Sequence, residues 1–302
     1  MVTPAARRIA VGVMTSEVRI SQRRACSLAG GWRSTSRYRS RRKDPAELVG
    51  RLRELALARP RWGYRMLGDL LREEGHVVNH KRLYRLYKAE GLSLPRRRPK
   101  KAPRPRQPRL EEALRPNQRW SMDFVTDAFA GGSRFRVLTI VDDGTRESPD
   151  LLTDTSISGL RVTRVLDRLK ETRGLPEVIV VDNGPEFTSG AMHRWARLNG
   201  VRLHFIDPGK PTQNAYVESF NGKFRDTCLN AHWFVDLADA RRTIEDWRVD
   251  YNEVRPHSSI GRRPPAVYAR MLEEKITAVE TAEIAARFPL SPQPCDDGTF
   301  PS

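Results

Sequence analysis

The sequence predicts an α/β domain, a mixed five-stranded sheet with helices, preceded by a small all-α and strongly basic region. Three observations carry this. From Trp120 to Asp154 the apolar residues fall into three short β-prone segments, and from Ser158 to Tyr251 helical and strand periods alternate. Upstream of Gly91, leucines recur at helical spacing between capping residues and glycine stops. Between the two regions lies Pro95–Arg109, with five prolines and eight Lys/Arg, a composition that stays extended and builds no core. The chain therefore divides into a basic N-terminal segment (1–43), a helical domain (44–94), a linker (95–115), the α/β core with C-terminal helices (116–275) and a tail (276–302).

Residues 1–18 show no clear period and are expected to be mobile. Ser21–Ala29, stopped by Gly30-Gly31, reads as a short capped helix, and Ser34–Arg41 as a second, together a helix-turn-helix candidate. Asp44-Pro45-Ala46-Glu47 is a capping box with proline at the first helical position, and Leu48, Leu52 and Leu55 continue an apolar face. A second helix spans Tyr64–Glu74, with Leu67, Leu70 and Leu71 inward and Gly75 as its stop. The third spans Asn79–Gly91: Leu83, Leu86 and Tyr87 form one face, and Lys81, Arg85 and Lys88 the other. A helix trio whose last member is basic on its free side suits a DNA major groove, so Lys81, Arg82, Arg85 and Lys88 are candidate DNA contacts.

In the core, Trp120–Val125 alternates so that Ser121 and Asp123 share one face and Met122 and Phe124 the other. Arg134–Val141 is the second strand, next to the Gly131-Gly132 turn. The third falls near Asp150–Asp154, where Ser148-Pro149 predicts an edge strand or a late start. Ser158 caps a helix through Arg173, with Val162, Val165, Leu166 and Leu169 inward and Gly174 at its end. Val178–Val181 is a short apolar run, read as a buried strand ending at Asp182. A helix near Ser189–Asn199, a strand Val201–Ile206, a broken loop Asp207–Pro211, the helix bearing Glu218 and a helix Leu237–Tyr251 follow. Beyond Lys275 a helix remnant and a Pro-rich tail are expected. Three meander strands followed by α-β-α-β-α is the order of a ribonuclease H-like fold, in which the first strand lies beside the fourth.

The net charge of +17 points to a polyanionic partner. It is concentrated: residues 1–116 hold 30 Lys+Arg against 10 Asp+Glu, whereas the remainder holds 24 against 27. Cys26, Cys228 and Cys295 show no paired spacing, which argues against a disulfide framework and suits a reducing bacterial cytoplasm. The six histidines are scattered and no Cys pair accompanies them, so no zinc domain is expected. No apolar run reaches membrane-spanning length.

A carboxylate at the tip of a buried strand is costly unless a metal ion or water takes its charge, which singles out Asp182. Glu218 follows after 35 intervening residues, on a helix where Val217, Phe220 and Phe224 are apolar while Asn214, Glu218, Asn221 and Arg225 share a polar face. Asp123 is the third acid. Three hard oxygen donors suit Mg²⁺ or Mn²⁺. Glu186, four residues past Asp182, is the rival acid and could instead be a helix N-terminal charge.

Asp…Asp…35 residues…Glu is the pattern of the DDE polynucleotidyl transferases. The phrases Trp120-Ser121-Met122-Asp123-Phe124, Val181-Asp182-Asn183-Gly184-Pro185-Glu186-Phe187, Gln213-Asn214-Ala215-Tyr216-Val217-Glu218-Ser219-Phe220-Asn221-Gly222 and Tyr251-Asn252…Arg255-Pro256-His257-Ser258-Ser259 resemble the integrase-core transposases of bacterial insertion sequences. More narrowly, they resemble the second-frame products of two-frame elements, over about Ile20 to Tyr268. The resemblance implies a ribonuclease H-like integrase core with Asp123, Asp182 and Glu218 as catalytic residues and metal ligands. It implies two Mg²⁺ or Mn²⁺ ions, about 4 Å apart in such sites, that stabilise the attacking and leaving oxygens. Water would free a 3′-hydroxyl at the element end, and that hydroxyl would attack a second phosphodiester. Double-stranded DNA, both terminal repeats and target, is the implied partner, with a homo-oligomer on DNA and a first-frame protein as further associates. Asn183, Lys223 and Arg225 join the DNA-contact candidates; Arg225 could instead pair with Glu218 or Asn221 within the helix, and His257 could hold a loop or touch phosphate. The alternative functions are a non-catalytic DNA-binding regulator, for which the basic third alone would suffice, and a nuclease without strand transfer.

Overall fold

The computed structural model of the chain describes residues 3–38, 46–95, 113–207 and 214–287. They fall into two compact units, Met1–Arg51 and Leu52–Ser302. The first unit holds α1 (Pro4–Ser16), α2 (Gln22–Leu28) and α3 (Arg33–Arg37). Helix α1 corrects the expectation of a patternless N-terminus. Thr3 caps it, its hydroxyl accepting from Ala6 N at 3.2 Å, and Pro4 occupies the first helical position, where a missing N–H costs nothing. Val11 then packs with Ala25 and Cys26 of α2. Ser21 caps α2 as predicted, whereas α3 ends at Arg37, short of Arg41. The capping pair Asp44-Pro45, the linker segment 96–112, the loop segment 208–213 and the tail from 288 lie outside the described residues.

Helix α4 (Ala46–Ala58) runs across the division between the units. The second unit continues with α5 (Tyr64–Glu73) and α6 (His80–Ala89). Leu52, Leu55, Leu67, Leu71, Leu83 and Tyr87 are buried, as the leucine spacing predicts. Gly68 permits the close approach of α5 and α6: a Cβ there would lie 2.5 Å from Leu83 Cδ2.

The sheet consists of β1 (Arg119–Ala128), β2 (Arg134–Asp142), β3 (Leu151–Asp154), β4 (Val178–Val181) and β5 (Arg202–Phe205) in the order β3-β2-β1-β4-β5. β1–β2 and β2–β3 are antiparallel, β1–β4 and β4–β5 parallel. This is the predicted mixed sheet, with the first strand beside the fourth and β3 a late-starting edge. Helices α7 (Gly159–Thr172) and α8 (Gly190–Asn199) cover one face, packing Val162, Leu166, Met192 and Trp195 on Trp120, Met122 and Ile179. Helices α9 (Ala215–Thr227) and α10 (Leu237–Glu253) cover the other, packing Val217, Phe220, Phe224 and Ile244 on Val125, Phe135 and Val137. Burying each of these side chains is worth about 1.5–3 kcal/mol, which holds α9 against the sheet. Ser158 stands at the N-cap of α7 but its hydroxyl makes no capping bond. Helix α11 (Pro265–Arg287) runs unbroken through Lys275, where only a remnant was expected.

Two arginines tie the helices preceding the sheet to the core. Arg59 reaches both carboxylate oxygens of Asp250 on α10, at 2.8 and 2.6 Å. Arg262 grips both oxygens of buried Asp69 on α5, at 3.0 and 2.6 Å. Paired charge-assisted bonds of this kind fix orientation as well as proximity.

Candidate active site

The strand register sets the first two acids level. Arg119, Trp120 and Ser121 pair with Val178, Ile179 and Val180, and two residues further along each strand stand Asp123 and Asp182. Alternation along β1 turns Asp123 to the face that α9 covers, where it is half-buried. Its carboxylate accepts from Phe124 N at 2.7 Å and from Asn221 Nδ2 at 2.8 Å. Asp182 lies just past the end of β4, and its Oδ1 accepts from Gly184 N at 3.0 Å. A Cβ on Gly184 would come within 2.9 Å of that oxygen, so the turn needs glycine to leave the carboxylate in place.

Helix α9 brings the third acid. Asn214 donates to Met122 O at 3.3 Å and Asn221 to Asp123. These bonds pin α9 to β1 on either side of Glu218, whose exposed side chain leaves the same flank. Burial raises the Asp123 carboxyl above its ordinary value and the charge of Asp182 adds to this, while the bonds from Phe124 and Asn221 work the other way. Glu218 is raised by burial and by Asp123. The charge of Asp182 thus bears on Asp123 and that of Asp123 on Glu218, like-charge contacts that a bound cation would relieve.

Among the described residues, no group of three His, Cys, Asp or Glu side chains is gathered closely enough to hold a metal ion. The donor chemistry nevertheless fits a hard divalent cation. Asp123 and Asp182 stand level on neighbouring strands with Glu218 on the helix that crosses them, and the buried Oδ1 atoms of Asn214 and Asn221, on the flank of α9 that carries Glu218, have no hydrogen-bond partner. In the sequence Asn214 and Asn221 are simply part of a polar helix face, and their spacing about Glu218 is the available signal.

The DNA-contact candidates separate. On α6, Lys81, Arg85 and Lys88 are exposed and Arg82 is half-buried, opposite Leu83 and Tyr87. Asn183 is exposed, and its amide donates to Ile206 O at 3.1 Å, tying the Asp182 turn to the chain after β5. Arg225 is exposed and reaches Thr126 O at 3.5 Å; it bonds to neither Glu218 nor Asn221. Lys223 does not share the flank of Glu218: five residues on, it leaves α9 about 140° away. Glu186 forms an ion pair with Arg136 of β2, which outweighs burial and holds its carboxyl below the ordinary range. Its charge is thereby balanced by Arg136, although it lies near Asp182: a Cβ on Gly184 would stand 3.4 Å from Glu186 Oε2 and 2.9 Å from Asp182 Oδ1. His257 holds its loop, its N–H donating to Arg263 O and its carbonyl accepting from Arg262 N.

The description "Integrase core domain" matches residues 113–211 and again 199–265, and "HTH-like domain" matches 43–100. A protein of insertion element IS476 from Xanthomonas euvesicatoria is 50% identical over 88% of this chain and 77% of its own length. One of IS407 from Burkholderia multivorans is 50% identical over 86% of this chain and 94% of its own. The transposase InsD of IS2 from Escherichia coli is 27% identical over 77% of this chain and 81% of its own. Among solved structures, the HTLV-2 integrase catalytic core in complex with magnesium is 16% identical over 52% of this chain and 98% of its own, with a TM-score of 0.43.

Proposed function

The chain belongs to the integrase-core proteins of bacterial insertion elements, and on that premise we propose that it is a DDE transposase that cuts DNA at element ends and joins the freed end to target DNA by in-line phosphoryl transfer. The observation that carries this reading is the register that sets Asp123 beside Asp182, with α9 pinned across β1 so that Glu218 leaves on the same side.

In this reading Asp123, Asp182 and Glu218 hold Mg²⁺ or Mn²⁺, probed as one or two ions, which would polarise the phosphoryl oxygens and the attacking and leaving groups. The chain's own residues do the positioning. Asn221 holds Asp123 in one rotamer, and the Gly184 N–H does the same for Asp182. Arg225, at the open end of the Glu218 flank, contacts a phosphate beside the scissile one. Helix α6 reads the terminal repeat through Lys81, Arg82, Arg85 and Lys88, and the α5 and α10 clamps keep it at a set distance from the acids. Asn183 contributes through its turn.

The division of labour runs 44–94 for end recognition, 95–115 as linker and 116–275 for chemistry. Assembly on DNA pairs two ends, with a first-frame protein as an associate. Among the described residues no helix is long and apolar enough to cross a membrane. The test is a cleavage and joining assay on labelled element-end duplexes with Mg²⁺. Site-specific nicking that disappears in Asp182→Asn while the duplex stays bound supports the reading; binding without nicking in the wild-type chain supports a regulator instead.

A further inference from the structure

The flank of α9 turned away from Glu218 carries Tyr216, Lys223 and Thr227, at intervals of seven and four residues. Cations gather there from three separate elements. Arg146, in the turn after β2, lies over the Tyr216 ring at 4.0 Å. Arg255, buried after α10, donates to Thr227 Oγ1 at 3.3 Å and lies 5.6 Å from the Trp62 ring. Lys223 stands half-buried where the charges of both act on it, and it forms no ion pair with any described residue, whereas Asp250 and Asp226 act on Arg255. Behind them His257 is 5% exposed, packed edge-on to Tyr251 at 4.7 Å, with its Nε2 buried and without a hydrogen-bond partner.

These positions are built. The backbone of Arg146 is left-handed, with φ of 68°, a conformation that a residue of this kind adopts only when its surroundings impose it. The Asp142 carboxylate and carbonyl impose it here by accepting from Gly144 N at 2.9 Å and Arg146 N at 2.8 Å. The cations also act on one another. Burial, then Arg255 and Arg146, lowers the Lys223 ammonium to about 8. Burial, then Lys223, Arg255 and Arg146, lowers His257 to about 3, so its imidazole is neutral and one ring N–H can donate. Asp143 bonds to Arg119 and Ser121 and also feels the charge of Arg146, and Asp250 and Asp226 act on Arg255, so that Lys223 is the cation of the group without a carboxylate acting on it. A half-buried ammonium crowded by other cations and without an ion pair, beside a spare neutral donor, is unfavourable alone and favourable around an anion.

We propose that Arg146, Lys223, Arg255 and His257 form a second phosphate-binding pocket, separate from the acid trio, that grips a DNA backbone phosphate across α9 from the cleavage site. This rests on the reading of the chain as a DNA-acting transposase and extends it: one helix would present metal-binding chemistry on one flank and a backbone clamp on the other. Arg225 and Lys223, two residues apart in the sequence, would then hold different stretches of DNA.

Lysine labelling tests this without requiring activity. The full chain is treated with acetic anhydride, free and bound to duplex, and each lysine is read by mass spectrometry. Lys223 should label readily in the free chain, because a depressed amine holds more free base, and should slow about tenfold when phosphodiester occupies the pocket. Protection by element-end duplex alone assigns the pocket to the element strand, and protection by an unrelated duplex assigns it to target DNA. Lys81 and Lys88 on α6 are the internal control. If they are protected and Lys223 is not, the pocket is overturned while the transposase reading stands; if none is protected, the DNA-binding reading itself fails. As an independent check, Lys223→Gln should flatten the salt dependence of binding by about one phosphate contact and Lys223→Arg should restore it. An unchanged slope in Lys223→Gln would also sink the pocket.

Discussion

Asn221 Nδ2 donates to the Asp123 carboxylate at 2.8 Å, joining the helix that bears the third acid directly to the first. Breaking this bond should loosen both at once. Asn221→Ala is expected to slow cleavage at least about tenfold and to cost about 1.5–3 kcal/mol of stability, the range for a hydrogen bond to a charged group. Cleavage kinetics over a Mg²⁺ series and urea melts check this; normal kinetics with an unshifted Mg²⁺ midpoint would remove Asn221 from any positioning role.

Asp123→Asn, Asp182→Asn and Glu218→Gln should each abolish cleavage and joining while end binding persists. The pH dependence gives a second readout. Asp123 and Glu218 are raised in the fold, chiefly by burial. A carboxyl that binds its proton more tightly folded than unfolded makes the fold most stable in acid, and stability falls as pH rises from about 4 through the raised value. Asp123→Asn should therefore lose part of that slope and melt no lower than wild type at neutral pH. Mg²⁺ or Mn²⁺ should raise the wild-type Tm and a chelator should return it. A metal-independent Tm would speak against the ligand assignment.

Gly184→Ala places a methyl 2.9 Å from Asp182 Oδ1. The carboxylate can rotate away, so the fold should lose little and the melting curve should barely move. Cleavage should fall sharply with DNA affinity intact. Wild-type turnover in this variant would show that the Asp182 rotamer does not matter.

On α6, Arg85→Ala and Lys81→Ala should relax discrimination between element-end and random duplex, by about 1–3 kcal/mol for a residue that reads a base edge. Loss of affinity that is equal on both duplexes would identify phosphate contacts only. Competition binding at fixed salt measures the difference.

Arg225 donates to Thr126 O at 3.5 Å, its charge also bears on Asp123, and its side chain is exposed. Arg225→Lys should keep partial activity and Arg225→Ala should lose most of it, with cut positions spreading, since lysine replaces the charge but not the planar fork. Sequencing of cut ends decides. Sharp, full-rate cleavage in Arg225→Ala would leave Arg225 as a partner of the β1 backbone.

Much of this molecule was legible in the chain itself. Alternation in Trp120–Val125 assigned Asp123 its face, and the apolar run Val178–Val181 assigned Asp182 its place at a strand tip. Leucine spacing and glycine stops delimited α5 and α6, because local periodicity and capping chemistry act over a few residues. Helix α1 escaped because its Thr3-Pro4 start is a single-residue signal, and its burial depends on Ala25 and Cys26 across a turn. The pins from Asn214 and Asn221 and the reach of Arg225 to Thr126 needed the tertiary structure. Each depends on where α9 lies across β1, and burial of Val217, Phe220 and Phe224 against β1, β2 and α10 decides that. The gathering of Arg146, Lys223, Arg255 and His257 likewise joins residues up to 111 positions apart. A sequence states which groups are charged; the packing of distant segments decides which of them share one low-dielectric space and must therefore find an opposite charge.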